Sequence, residues 1–130
     1  MTKYKIGYLF LALLFVTPGF GQRVNSALEL FLNNKIPEAE NALLKIANDS
    51  SDSERGKAAI ALSVIYNFNY DDELKVKYFT QGILALENPD PYLFTFWGSY
   101  QFVNYPTYRQ QIFDFYAKRK QINSNVVSSF

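Results

Sequence analysis

Residues 24–48 read VNSALELFLNNKIPEAENALLKIAN, and their apolar spacing predicts two consecutive helices. In each half the apolar residues recur at positions i, i+3, i+4, i+7 and i+8, which places them on one helix face. They are Val24, Ala27, Leu28, Phe31 and Leu32, then Ala39, Ala42, Leu43, Ile46 and Ala47. Pro37 suits the first turn of the second helix, where its missing N–H has no helical acceptor to lose. The linker NNKI (33–36) is short, so the two helices are expected to pack as an antiparallel hairpin.

The next stretch predicts a second pair of helices. NDSSDSERG (48–56) contains Ser51 and Glu54 at the spacing of a capping box, which predicts a helix start. NFNYDD (67–72) predicts a turn, with Asp71 as N-cap of the following helix. The expected inward-facing residues are Ala58, Leu62, Ile65 and Tyr66 in the first helix, and Leu74, Tyr78, Phe79, Ile83 and Leu86 in the second.

ALENPDPYLFTFWGSYQF (85–102) predicts a helix end followed by a new helix. Asn88 precedes Pro89, so the helix before it should end by Glu87. Asp90 is then the expected N-cap, and Leu93, Phe96, Trp97 and Tyr100 form one helix face.

Two further helices are expected near the end of the chain. One covers 105–120, with Tyr108, Ile112, Phe115 and Tyr116 facing inward, and the other opens at 123–130. The first helices of successive pairs then start near residues 24, 54, 91 and 123, at offsets close to the roughly 34 residues of one helical repeat class.

At these positions the chain resembles the tetratricopeptide repeat (TPR) family over residues 24–104. The second pair reads Ala59-x2-Leu62-Ser63-x2-Tyr66, and the third reads Phe94-x2-Trp97-Gly98. The first pair contributes the small Ala27, the bulky Leu30 and Ala39-x3-Leu43. The chain departs from the family pattern at Gln101, where a tyrosine is usual, and by a one-residue insertion before Phe79 and Gly82.

The resemblance implies an all-α fold of antiparallel hairpins, stacked as a short right-handed solenoid of about three hairpins and a partial fourth. It also implies that the protein binds a protein or peptide without catalysing a reaction. TPR ligands usually lie in a groove formed by the first helices of the repeats. Carried over by position, this groove would be lined by Lys57, Ile60, Val64, Asn67, Thr95, Ser99 and Phe102.

The first 21 residues have the order of a secretory signal peptide. Lys3 and Lys5 precede the apolar segment IGYLFLALLFV (6–16), and small residues follow at Gly19 and Gly21. A membrane anchor is the alternative, but the apolar segment is shorter than the roughly 20 residues that span a bilayer. We therefore expect cleavage after Gly21 and a secreted or periplasmic domain over 22–130, with no membrane attachment afterwards.

The composition excludes several functions for these residues. Without Lys3 and Lys5 the chain has 11 basic and 12 acidic residues, which gives no field for nucleic acid. The basic AKRK (117–120) is expected to complement a helix C-terminus. The 130 residues contain no histidine or cysteine, which excludes His- or Cys-based catalysis and zinc sites. We expect no catalytic residues, no metal and no cofactor; NDSSDSE (48–54) is interpreted as a solvated turn rather than a calcium loop.

The many aromatic residues have two interpretations. They fill the core of a short solenoid, or they form an exposed patch for a partner. The apolar ending VVSSF (126–130) leaves a second alternative open, in which the helical segment is the N-terminal part of a longer protein. A signal peptide followed by a TPR-like arm resembles the front of large secreted bacterial proteins, some of which carry a transglutaminase-like enzyme domain further on, and this segment would then be the arm of such an enzyme. The apolar ending at 126–130 also makes self-association through these residues an alternative.

Overall fold

The computed structural model describes residues 21–92 and 104–128, and every regular element in these ranges is helical. Five α-helices are complete within them: α1 (Gln22–Leu32), α2 (Ile36–Ala47), α3 (Arg55–Phe68), α4 (Asp72–Ala85) and α5 (Pro106–Ser128). Residues 90–92 are helical as well. The all-α prediction is confirmed for these ranges. The predicted signal peptide and the segment with Trp97 and Gly98 lie outside the described residues, apart from Gly21.

Helices α1 to α4 each pack on the next one along the chain, α1 also contacts α3, and α4 contacts α5. The linkers of three residues after α1 and after α3 bring consecutive helices together as hairpins. Central α3 contacts α1, α2 and α4, and its side chains from Ala58 to Tyr66 are all buried. The one-faced pattern predicted for α3 is therefore too narrow, because a helix with neighbours on several sides buries several faces.

The predicted inner face of α1 is largely confirmed. Val24, Ala27, Leu28 and Phe31 are buried, whereas Leu32 at the end of the helix is 41% exposed. In α4, Tyr78, Phe79 and Ile83 are buried as expected. Leu74 and Leu86 are only partly buried and pack on the edge of the core.

The two hairpins turn with the same backbone motif. After α1, the Lys35 N–H donates to the Leu30 carbonyl at 2.9 Å and the Asn34 N–H donates to Phe31 at 3.0 Å. After α3, the Asp71 N–H donates to Tyr66 at 2.9 Å and the Tyr70 N–H donates to Asn67 at 3.3 Å. Both pairs form a Schellman motif, which satisfies the last carbonyls of a helix and requires a left-handed residue. Asn34 (φ 63°) and Tyr70 (φ 56°) take that conformation; it is costly for tyrosine, whose Cβ crowds the backbone.

The prediction that Asp71 caps α4 is confirmed, since its carboxylate accepts the Leu74 N–H at 3.1 Å. The capping box predicted at Ser51 and Glu54 is wrong. Ser51 instead donates to the Asp49 carboxylate from both its N–H and its hydroxyl. Glu54 is directed away from α3, toward the start of α1.

Glu54 belongs to a group that we call the N-terminal clasp, formed by Arg23, Asp52 and Glu54. Arg23 donates two hydrogen bonds to Asp52, at 2.7 and 2.6 Å, and one to Glu54 at 3.0 Å. The other Glu54 oxygen accepts the Val24 N–H at 3.2 Å, which satisfies a donor in the first turn of α1. A Cβ at Gly21 would meet the Glu54 side chain, whose flexible end would have to move aside. The solvated turn expected at NDSSDSE is thus wrong at Asp52, which is buried and ion-paired.

The predicted break between residues 120 and 123 does not exist. Helix α5 continues for 23 residues from Pro106 to Ser128, because QIN (121–123) contains neither glycine nor proline to stop it. AKRK (117–120) therefore lies inside the helix, and its expected role at a helix C-terminus is wrong. Asp90 also differs from its predicted role: it is already helical, and its carboxylate accepts a bond from Tyr116.

The contact between α3 and α4 depends on glycine. A Cβ on Gly82 would lie 2.7 Å from Cδ1 of Ile60 and 3.0 Å from the backbone oxygen of Gly56. Neither side has space to yield, because Ile60 is fully buried and the second atom is backbone. The two helices therefore approach closely at this point.

We expect Gly82→Ala to destabilise the protein. Overpacking costs about 1–3 kcal/mol, which exceeds the gain of about 1 kcal/mol from alanine's better helix propensity. Gly56→Ala is the matched control, since its new Cβ would mainly meet the side chain of half-buried Leu86 at 3.0–3.1 Å. Urea unfolding followed by circular dichroism measures both. A Gly82→Ala variant at least as stable as the wild type would contradict the close approach.

We expect the clasp to contribute to stability only while Asp52 is ionised. The hydrogen bond from Arg23 holds the pKa of Asp52 below its ordinary value. The pKa of Asp52 is therefore lower in the folded chain than in the unfolded chain, where it is about 4. Such a group stabilises the fold above the unfolded-state pKa, and this stability is lost as the pH falls toward the folded-state pKa. Asp52→Asn should therefore lower the stability at pH 7. Between about pH 4 and pH 2 the variant should lose less stability than the wild type does.

Glu29→Gln, at an exposed position on α1, is the control and should keep the wild-type acid dependence. The stability of the Asp52→Asn variant should still fall somewhat in acid, because hydrogen bonds from Ser51 also lower the pKa of Asp49. Denaturant midpoints measured from pH 2 to pH 7 test this. Parallel pH curves for Asp52→Asn and the wild type would show that the clasp adds nothing.

Candidate functional site

A cleft of about 690 Å³ lies between the start of α3 and the chain that leaves α4. We call it the α3 cleft. One side is lined by Ser53, Arg55, Gly56 and Lys57, and the other by Ala85, Leu86, Glu87, Asn88, Pro91 and Tyr92. A second depression of about 290 Å³ shares Arg55 and Ala85 and continues past Gln81 to the end of α2. The larger volume lies within the range of small-molecule and peptide-side-chain pockets.

Residues 86–92 form the far wall of this cleft, and we call them the cleft wall. Helix α4 ends at Ala85 because the backbone of Leu86 is extended, with ψ 144°, and Pro89 follows. Leu86 lies directly over Gly56, so the missing side chain of that glycine lets the wall come close to α3. The chain becomes helical again at residues 90–92, where the Tyr92 N–H donates to the Pro89 carbonyl.

The near side of the cleft is cationic. Arg55 uses one nitrogen to donate to the Asp52 carbonyl at 3.1 Å, and Lys57 makes no hydrogen bond or ion pair with any described residue. Both lie in the first turn of α3, where the helix dipole adds partial positive charge. Glu87 is the one acidic side chain among the described lining residues. The balance of charge favours an anionic or acceptor-rich group at Arg55 and Lys57.

The far side supplies apolar surface. Leu86 is half-buried and Tyr92 is buried, and burial raises the pKa of the Tyr92 hydroxyl, so it stays protonated at neutral pH. At the second depression, Gln81 donates from its side chain to the Ala47 carbonyl at 2.9 Å, which fixes the amide in the floor. A cleft with cations on one side and apolar groups on the other can hold an extended chain segment that has an acidic residue next to an apolar one.

The structure places the predicted groove residues at different depths. Lys57 lines the α3 cleft, and Asn67 accepts a hydrogen bond from buried Lys75 at 2.9 Å. Ile60 and Val64 are fully buried in the core, with Ile60 packed against α4 at Gly82. Thr95, Ser99 and Phe102 lie outside the described residues. A groove formed by all seven remains a prediction.

Sequence reasoning missed Arg55, Leu86 and Glu87 as lining residues. The available signal was the combination of Gly56, which leaves space at the start of a helix, with Pro89, which forces the chain out of α4. Neither residue identifies the other as its neighbour, because they are separated by an entire helical hairpin.

Several aromatic residues near the turn after α3 serve the core. Phe68 packs edge-on against Phe31 at 5.4 Å, and Tyr66 stacks on Tyr78 at 5.6 Å. The Tyr66 hydroxyl donates to Glu40 at 2.9 Å, and burial raises its pKa. Tyr70 differs, with 67% of its surface exposed. Around this turn the core interpretation holds for Tyr66 and Phe68, and not for Tyr70.

The described ranges hold no group of three or more acidic side chains arranged to bind a metal ion. Within the same ranges, no helix is both long enough and apolar enough to cross a membrane. Comparisons with protein-family models, with curated proteins and with solved structures found no match to this chain.

Proposed function

We propose that this protein is a secreted TPR-like helical module that binds an acidic peptide segment of a partner protein in the α3 cleft. The observation that carries the proposal is the pairing in one cleft of Arg55 and Lys57, which have unused donors, with the apolar surface of Leu86 and Tyr92. Such a combination fits a peptide better than a catalytic reaction, since the described residues lining the cleft include no nucleophile paired with a base.

The TPR-like arrangement is supported by the repetition within the hairpins. The two Schellman turns place their left-handed residues, Asn34 and Tyr70, 36 residues apart. This spacing is close to the roughly 34-residue period of TPR repeats. Helices α1 to α4 pack mainly on their neighbours along the chain, as helices of a solenoid do.

Peptide binding is tested by display selection on purified residues 22–130, followed by affinity measurements with the selected peptides. We expect acidic peptides whose affinity falls about tenfold or more in Lys57→Glu, because the charge at the cleft is reversed. Lys45→Glu is the matched control, since Lys45 is an exposed lysine on α2 that does not line the cleft. Equal affinities for the two variants would place binding elsewhere.

Secretion is tested separately by expressing residues 1–130 in a bacterial host and measuring the intact mass of the exported protein. We expect a chain that begins at Gln22, because the small residues Gly19 and Gly21 precede the predicted cleavage point. Gly21→Arg should block that cleavage and leave the full-length chain in the cell membrane. Retention of the uncleaved wild-type chain in the membrane would support the anchor alternative instead.

A further inference from the structure

Helix α5 holds the cleft wall with two side chains. The Tyr116 hydroxyl donates to the Asp90 carboxylate at 2.7 Å, and Arg119 donates to the Glu87 carbonyl at 2.9 Å. Tyr116 and Arg119 are three residues apart, so they lie on the same side of α5. Their acceptors are also three residues apart and lie on either side of Asn88 and Pro89. The two bonds thus hold both ends of the stretch 87–90.

Buried and exposed residues are interspersed along the cleft wall. Leu86, Pro89 and Tyr92 anchor the cleft wall through partly or fully buried side chains, whereas Glu87, Asn88 and Asp90 are exposed. The described backbone bonds of the wall are those from Leu86 to Gly82 and from Tyr92 to Pro89, and neither involves Glu87 or Asp90. Among the described residues, the side chains that bond to Glu87 and Asp90 come from α5.

The two bonds from α5 are exposed hydrogen bonds of side-chain donors. Both lie at the surface, where water competes with the donor and the acceptor, so each contributes modestly. Burial and the bond to Asp90 raise the pKa of Tyr116 to about 12, so its hydroxyl remains a donor at neutral pH. Besides these two bonds, α5 packs on the core through buried Ile112 and the partly buried Tyr108, Phe115 and Tyr116.

We infer that α5 is a latch on the α3 cleft: while it is docked, Tyr116 and Arg119 hold the cleft wall beside Arg55 and Lys57, and its release frees the wall. A ligand that fits the cleft with the wall in place also favours docked α5, because coupling between two sites is reciprocal. The inference rests on the proposed function only for the nature of that ligand. The latch itself is a property of the free protein.

Hydrogen–deuterium exchange of the cleft wall tests the latch without any ligand. Tyr116→Phe removes only the hydroxyl, and Arg119→Met removes only the guanidinium. We expect the double variant to exchange the hydrogen-bonded amides of Leu86 and Tyr92 in the cleft wall about five to tenfold faster than the wild type. Tyr108→Phe and Arg109→Met are the matched controls on α5, because neither side chain bonds to the cleft wall, and they should change exchange less than twofold.

The outcomes separate the latch from the peptide site. Unchanged exchange at 86–92 in the double variant would overturn the latch, and so would an equal increase throughout α1–α4, which would indicate general destabilisation. Faster exchange confined to the wall supports the latch. If it comes with weaker binding of the selected acidic peptides, the peptide site is supported too; if peptide affinity is unchanged, the latch stands and the α3 cleft is not the peptide site.

Discussion

The close approach of α3 and α4 at Gly82 is the constraint on which the described fold depends. It buries Ile60 fully and brings the end of α4 against the start of α3 at Gly56. Central α3 then presents its remaining faces to α1 and α2. If a side chain separated the two helices at this point, Leu86 would no longer lie over Gly56, and the wall of the α3 cleft would move with it. Packing in the core and the shape of the surface cleft are therefore set by the same contact.

The hairpins and their assembly are stabilised by different kinds of interaction. Each turn is local: a Schellman motif closes within six residues and satisfies the final carbonyls of one helix. The N-terminal clasp is non-local, since Arg23 bonds to residues 29 and 31 positions away. Its Glu54 carboxylate also accepts a donor at the start of α1. The clasp thus fixes the first hairpin to the loop that begins the second, where local turn geometry has no influence.

This division explains what could be predicted from the sequence. Apolar spacing located α1 to α4 within a few residues and identified most of their buried side chains, because periodicity reports a local property. The roles of Glu54 and Asp52 could not be predicted, since their partner Arg23 lies in another helix. The break expected near residue 121 was wrong because it came from counting repeats, while the local sequence QIN favours continuation. The cleft depends on Gly56 meeting Leu86, a contact between helix ends that periodicity does not describe.

Helix α5 continues through residues 121–123, where the sequence predicted a break, and this continuity has a structural role. A helix that ended near residue 120 would place Arg119 in a fraying last turn, where its bond to Glu87 would be formed only part of the time. Because α5 continues to Ser128, Tyr116 and Arg119 lie well inside the helix. The helix backbone therefore fixes the distance between these two side chains, which bond to the cleft wall. The wall carries exposed polar residues between buried anchors, so it needs such support without being part of the core. A long helix that packs on the core and also bonds to the cleft wall is suited to transmit its own docking to the position of that wall.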